Sequence, residues 1–327
     1  MTQTRAASRH IVIGATLLLA LIAAFLTPGR AAAASLQEVT GFGSNPGALR
    51  MFRYVPDGLP AGRPVVVALH GCTQNASGYG TGSGWLQLAD RWGFSVVLPQ
   101  QQTANSASSC FNWFQNGDLA RGQGEAASVA QMVDRQLADT SGDASRVHVT
   151  GLSAGGGMAA VMMAAYPERF ASGGIVAGLP YGCAQAAGSP WVCMYVGATQ
   201  TAKQWGDRVR AARPGYAGPW PMLVAFQGTA DHTVQPVNMT DLMRQWTEVH
   251  GADQVADVSD SVAGYPHQVF RDAGGRAVVE TYSVTGMGHG QPVDPGSGSE
   301  QCGSAGAYVL DVNLCAAYRM GRAWGLG

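Results

Sequence analysis

Two kinds of apolar pattern alternate along the chain. One is the short unbroken run, at residues 64–69, 94–98, 173–177 and 222–226. Runs of this length suit strands buried on both faces of a sheet. Segments 49–55 and 278–284 and the alternating stretch from Val147 also read as strands. The other pattern has helical spacing. It covers 85–92, 124–137 (Ala126, Val129, Ala130, Val133, Leu137), the stretch from Ala154 to Tyr166, 237–250 (Met239, Leu242, Met243, Trp246) and 308–324. Strands alternating with helices predict one α/β domain, a mostly parallel central sheet with helices on both faces. Turn-rich stretches at 181–190 and 292–307 interrupt the alternation.

A further apolar run, 11–26, follows Arg5 and Arg9 and precedes the small residues Ala31 to Ala34. That order predicts a secretory signal peptide over residues 1–34 and a catalytic domain over 35–327. The run is short for a spanning helix. The expected product is secreted, extracellular and without stable membrane association once the signal is cleaved. All six cysteines lie beyond it, and an even number in an exported chain favours disulfides. Close Cys-x-x-Cys pairs are missing, so no metal site is expected. Proximity along the chain suggests Cys72–Cys110, Cys183–Cys193 and Cys302–Cys315. Each would contribute roughly 3 kcal/mol in the chain-entropy model.

Charged residues make up 13% of the 327 residues, with a formal net charge of −1. Nucleic acid and anionic membrane surfaces want clustered Lys and Arg, so neither is an expected partner. A monomeric, Gly/Ala/Ser-rich secreted protein fits better.

The candidate chemistry centres on Gly151-Leu152-Ser153-Ala154-Gly155. It joins a strand to a helix, as a nucleophile elbow requires. A sharp turn there lifts the Ser153 hydroxyl above the sheet. The Ala154 N–H and the helix N-terminus stand ready for an oxyanion. A serine needs a base to take its proton, and the base needs an orienting acid. In this architecture they follow as Asp or Glu, then His. Asp231 comes just after the 222–226 strand and His289 just after the 278–284 strand. Parallel sheets gather chemistry at such strand ends. Asp257, Asp260 and Asp272 sit in polar turns, and His232 and His267 are less well placed as the base. His148 reads as structural, and His250 closes a helix. A second oxyanion donor is expected after the 64–69 strand, in His70-Gly71-Cys72-Thr73-Gln74, where the Cys72 N–H is the candidate. His70 precedes the nucleophile and reads as packing or bonding the loop backbone.

Several motifs together are more specific than the fold. They are His70-Gly71-Cys72-Thr73-Gln74, Cys110-Phe111-Asn112-Trp113-Phe114, Arg121-Gly122-Gln123-Gly124-Glu125, Gly151 to Gly156, and Gly178-Leu179-Pro180-Tyr181-Gly182-Cys183-Ala184. Gly288 to Asp294 and Cys302 to Tyr308 continue the set. The chain resembles the extracellular poly(3-hydroxybutyrate) depolymerase family of esterases over nearly all of its mature length. The resemblance implies an α/β-hydrolase fold and a secreted serine esterase with Ser153, Asp231 and His289 as triad and Cys72 at the oxyanion hole. It also implies an exposed aromatic near the site that contacts polyester, with Trp113 in the matching position. The implied substrates are poly(3-hydroxybutyrate)-type polyesters and their oligomers, and no cofactor is implied. Polymer-degrading members commonly carry a linker and a substrate-binding domain. This chain stops at Gly327, from which slow attack on solid polymer is expected. Related esterases release feruloyl or acetyl groups from plant polysaccharide, which is the alternative activity. A non-catalytic secreted binding protein would need a broken triad, and none is visible.

Overall fold

Why the unbroken apolar runs become central strands is plain from the sheet. The computed structural model describes residues 1–2 and 34–327, and the signal peptide expected over 1–34 lies essentially outside them. A compact unit spans Ala33–Gly327. Its strands are β1 (Gln37–Val39), β2 (Arg50–Tyr54), β3 (Val65–Leu69), β4 (Ser95–Gln100), β5 (Val147–Leu152), β6 (Ser172–Val176), β7 (Met222–Gly228), β8 (Val258–Val262), β9 (Tyr265–Arg271) and β10 (Ala277–Val284). They form one sheet in the order β1-β2-β4-β3-β5-β6-β7-β10-β9-β8. From β4 to β10 every pairing is parallel. At one edge β2 and β1 add antiparallel, and at the other β9 and β8 do the same. Helices cover both faces, so the sequence-based fold is the observed one.

All five residues of β3 are buried, and the strand period of two divides them between faces. Val65, Val67 and Leu69 join a core with helices Gly124–Thr140, Ala154–Ala165 and Val237–His250. Val66 and Ala68 join the opposite core, with helices Ala76–Gly82, Trp85–Trp92 and Ala316–Ala323. Helix Ala154–Ala165 is buried at every position, which suits its apolar composition all round.

The structure adds to or departs from the expected elements in several places. The 49–55 strand belongs to the antiparallel edge. The 308–324 helix is shorter: β12 (Val309–Asp311) pairs with β11 (Gln291–Val293), and the helix begins at Ala316. The β8–β9 hairpin had no alternating signal because Ser259, Asp260 and Ser261 are all exposed. Its turn places Ala263 and Gly264 at φ of 52° and 85°, the left-handed region favoured in tight hairpins.

Candidate active site

The parallel strands of the sheet deliver the chemistry-bearing residues to one edge. Ser153 follows β5 directly and caps the N-terminus of helix Ala154–Ala165. Its φ of 58° and ψ of −120° are strained for a side-chain-bearing residue, and its N–H donates to Val176 O at 2.9 Å. The two glycines of the motif are required by close approach. A Cβ on Gly151 would sit 2.3 Å from the Gly155 backbone, and one on Gly155 would sit 2.2 Å from Leu69 O. The elbow is thus wedged against the end of β3.

Asp231 lies past the end of β7 and is buried. Its Oδ1 accepts from Thr233 N and Val234 N, each at 2.9 Å. Its Oδ2 accepts from Gln227 Nε2 at 2.9 Å and pairs with His289 Nδ1 at 2.8 Å. Burial works against the charged form. The hydrogen bond and charge of His289, with the Val234 and Thr233 N–H groups, outweigh it and hold the carboxyl below the usual carboxylate range. With Nδ1–H donated to Asp231, the His289 Nε2 is left as an acceptor.

Two cavities meet at Ser153. The larger, about 350 Å³, is lined by Ser153, Ala154, Cys72, Trp113, Trp191 and Met194, among others. The smaller, about 150 Å³, is lined by Ser153, His289, Cys72, Met194, Tyr308 and neighbours. A group attacked at Ser153 can therefore extend in two directions. The Cys72 N–H donates to no acceptor among the described residues, and the Ala154 N–H opens the helix. Preorganised N–H groups of this kind suit developing negative charge on oxygen.

The structure thus brings Ser153, Asp231, His289, Cys72 and Ala154 together. The other candidates lie elsewhere. His232 is exposed. His267 pairs with Asp260 at 2.7 Å on the antiparallel edge. Asp272 serves a turn, accepting from Gly274 N and Arg276 N. His148 is buried and stacks on Trp324, and His250 Nε2 donates to Pro221 O at 3.0 Å near its helix end. The cysteines pair as Cys72–Cys110, Cys183–Cys193 and Cys302–Cys315. Among the described residues no three His, Cys, Asp or Glu side chains gather as a metal site requires.

Trp113 is not the exposed aromatic expected near the site. It lines the larger cavity, but only 5% of it is exposed, because it packs edge-on against Phe114 within the core. The exposed aromatic lining that cavity is Trp191, 63% exposed, and beside it on the surface stands Tyr195, 50% exposed. Their rings stack with centroids 6.4 Å apart. They stand one turn apart on helix Pro190–Val196, which begins where the turn-rich stretch 181–190 ends and is not among the elements expected from the sequence. A start signal was present there. Ser189 caps the helix by accepting from Trp191 N, and Pro190 takes the first position.

Comparison with known proteins agrees with this geometry. Residues 49–262 match the family described as esterase PHB depolymerase. Over 292 residues the chain is 52% identical to poly(3-hydroxyalkanoate) depolymerase C of Paucimonas lemoignei, covering 89% of this chain and 70% of that protein. Over 282 residues it is 35% identical to feruloyl esterase B of Neurospora crassa, covering 84% and 94%. The solved structure of an acetyl xylan esterase from Aspergillus awamori superposes with a TM-score of 0.75 at 28% identity, covering 90% of this chain and all of that one. A buried Asp–His pair beside a strained serine, within a chain related throughout to ester hydrolases, places this protein in the esterase PHB depolymerase family of carboxylic-ester hydrolases.

Proposed function

We propose that the protein is a secreted serine esterase acting on poly(3-hydroxyalkanoate)-type polyesters and their oligomers. The observation that carries the reading is Ser153 at the junction of two cavities, with His289 in one of them and oriented by Asp231. Ser153 Oγ attacks the ester carbonyl carbon while its proton passes to His289 Nε2. The Cys72 and Ala154 N–H groups hold the resulting oxyanion. Asp231 stabilises the imidazolium. The C–O bond to the leaving alcohol breaks as His289 returns the proton to it. Water then attacks the acyl-enzyme by the same route, freeing the acid and Ser153.

Substrate choice is supported by the 52% identity to a poly(3-hydroxyalkanoate) depolymerase, against 35% to a feruloyl esterase. The walls of the larger cavity support it too. Trp113 bounds it from within, and the exposed Trp191 and Tyr195 offer an uncharged surface continuous with its mouth. No charged residue occurs from Phe170 to Ala202, so this side suits a neutral aliphatic chain. The disulfides support an extracellular setting. A feruloyl esterase is the second reading, favoured by the aromatic lining of Trp113, Phe114 and Trp191, which could hold a phenolic ring.

A product panel decides between them. Purified protein is incubated with 3-hydroxybutyrate oligomers and films, methyl ferulate and acetylated xylan. Soluble hydroxyacid release should be fastest. Faster release of ferulate or acetate would overturn the substrate assignment.

A further inference from the structure

Behind the oxyanion loop lies a buried carboxylate that the acyl-transfer steps do not use. Glu125 stands at the start of helix Gly124–Thr140, with 1% of its surface exposed and, among the described residues, no cationic partner. Its two oxygens serve as acceptors. Asn112 N donates to Oε2 at 2.8 Å, and Asn112 Nδ2 donates to Oε1 at 2.7 Å. Gln101 Nε2 also donates to Oε1, and to Cys110 O at 3.1 Å. The Gln101 side-chain oxygen, Oε1, accepts in turn from Gln102 N and Asn105 Nδ2.

From Gln101 the chain of contacts turns toward the active site. The backbone N–H of Gln101, whose side chain Glu125 holds, donates to His70 Nε2 at 3.1 Å. That leaves the His70 proton on Nδ1, which donates to Gly71 O at 2.7 Å. Burial pushes His70 down to about 4, against the pull of the Gly71 carbonyl, so the ring stays neutral near pH 7. The peptide from Gly71 to Cys72 is trans, so its C=O and N–H point to opposite sides. Drawing the Gly71 carbonyl inward onto His70 turns the Cys72 N–H outward, toward the cavities that Cys72 shares with Ser153. A second tie runs in parallel, through the Cys72–Cys110 disulfide and Thr73 N to Ser108 O at 2.7 Å.

We propose that His70 and Glu125 are positioning residues that aim the Cys72 N–H at the oxyanion: Glu125 fixes Gln101, Gln101 fixes the tautomer of His70, and His70 fixes the Gly71–Cys72 peptide plane. The proposal rests on Ser153 being the nucleophile and on Cys72 donating to the oxyanion. It goes beyond that reading by naming what sets the donor's direction.

The test uses two similar substitutions with opposite expectations. His70→Asn carries an amide that reaches the Nδ1 position and can still donate to Gly71 O. His70→Gln carries its amide to the Nε2 position and leaves Gly71 O unheld. On a soluble short-chain 3-hydroxyacid ester, His70→Gln should lower kcat by roughly tenfold to a hundredfold with KM within about twofold, since an oxyanion donor acts only in the transition state. His70→Asn should recover most of that loss. Glu125→Gln should lower kcat less, and Glu125→Gln in the His70→Gln background should add little further loss, because both act through one peptide plane. Each variant is assayed well below its own Tm. Equal losses in the Asn and Gln variants, a change in KM alone, or additive losses in the double variant would overturn the proposal. If His70→Gln does not fold, Glu125→Gln alone decides: a kcat loss at constant KM is expected, and an unchanged kcat overturns it. Labelling by diisopropyl fluorophosphate, present in wild type and absent in Ser153→Ala, reports separately on the nucleophile.

Discussion

The cavity beside Ser153 has two walls of opposite character. One comes from the segment 106–114, tied down by a disulfide and by the buried Glu125 network. Its lining residue Trp113 is buried. The other comes from helix Pro190–Val196, whose Trp191, Val192, Tyr195 and Val196 face outward. It too is anchored, by Cys183–Cys193 and by Asn238 Nδ2 donating to Cys193 O at 3.1 Å. The first wall invests buried polar groups in fixing positions. The second spends exposed apolar area on contact. The contrast teaches that geometry and adhesion are assigned to different segments of the chain on either side of Ser153.

Substitutions can break or sharpen this contrast. The largest effect is at the point both walls serve. Ser153→Ala should reduce ester hydrolysis roughly a millionfold, as in comparable triads, while the folded state persists. Turnover near the wild-type rate by a clean preparation would remove the basis for comparing the walls. Asp231→Asn should lower kcat about 10⁴-fold, because the amide no longer holds the His289 tautomer, and a stopped-flow or steady-state assay would read it. Trp113→Ala should destabilise the fold by roughly 3–5 kcal/mol in denaturant titration, as a large buried side chain does. A shift under about 0.5 kcal/mol would mean this wall is not the rigid one. Trp191→Ala should change stability by less than about 0.5 kcal/mol. It should nonetheless slow film erosion several-fold more than hydrolysis of a small soluble ester. Equal losses on both substrates would deny the second wall its contact role.

The smallest effect is in pH dependence. Burial pushes Glu125 up to about 7, although hydrogen bonds from Asn112 and Gln101 pull the other way. The folded protein therefore holds a proton that the unfolded chain has released between the ordinary carboxyl value and about pH 7. Stability from this group is present below that window and declines as pH rises through it. Unfolding free energies of wild type and Glu125→Gln, measured across pH 4 to 8, should diverge with that sign. Parallel curves would show that the first wall carries no such proton.

Much of this site was readable from sequence for a physical reason. Ser153, Asp231 and His289 each follow a strand of the parallel sheet, and a parallel sheet sends all its carboxyl ends to one edge. Apolar runs such as 64–69 mark those strands, so the edge could be placed without coordinates. The two walls were less legible. Trp113 lies in a Phe-Asn-Trp-Phe cluster, and nothing in that composition tells a buried ring from an exposed one. Its burial is decided by Phe114 and the neighbouring helices. Helix Pro190–Val196 is only seven residues long, contains Cys193 and follows a Gly-Ser-Pro turn, where loop signals outweigh the Ser-Pro start. The β8–β9 hairpin escaped because its β8 strand is solvated on both sides. The Glu125 network escaped because long-range hydrogen bonds between Gln, Asn and Glu leave no periodic trace.

The three disulfides have a consequence for how the molecule is made. They join cysteines that are consecutive in the chain, at separations of 38, 10 and 13 residues, and no loop encloses or crosses another. A chain that emerges amino-terminus first presents its cysteines in pairing order. Each bridge can close before the next pair emerges, and the short spans keep the closure entropy low. Consecutive oxidation by a simple dithiol oxidase therefore suffices, with no reshuffling of long-range mispairs. Biogenesis of this enzyme is thereby suited to an oxidising compartment that has oxidase activity and little isomerase.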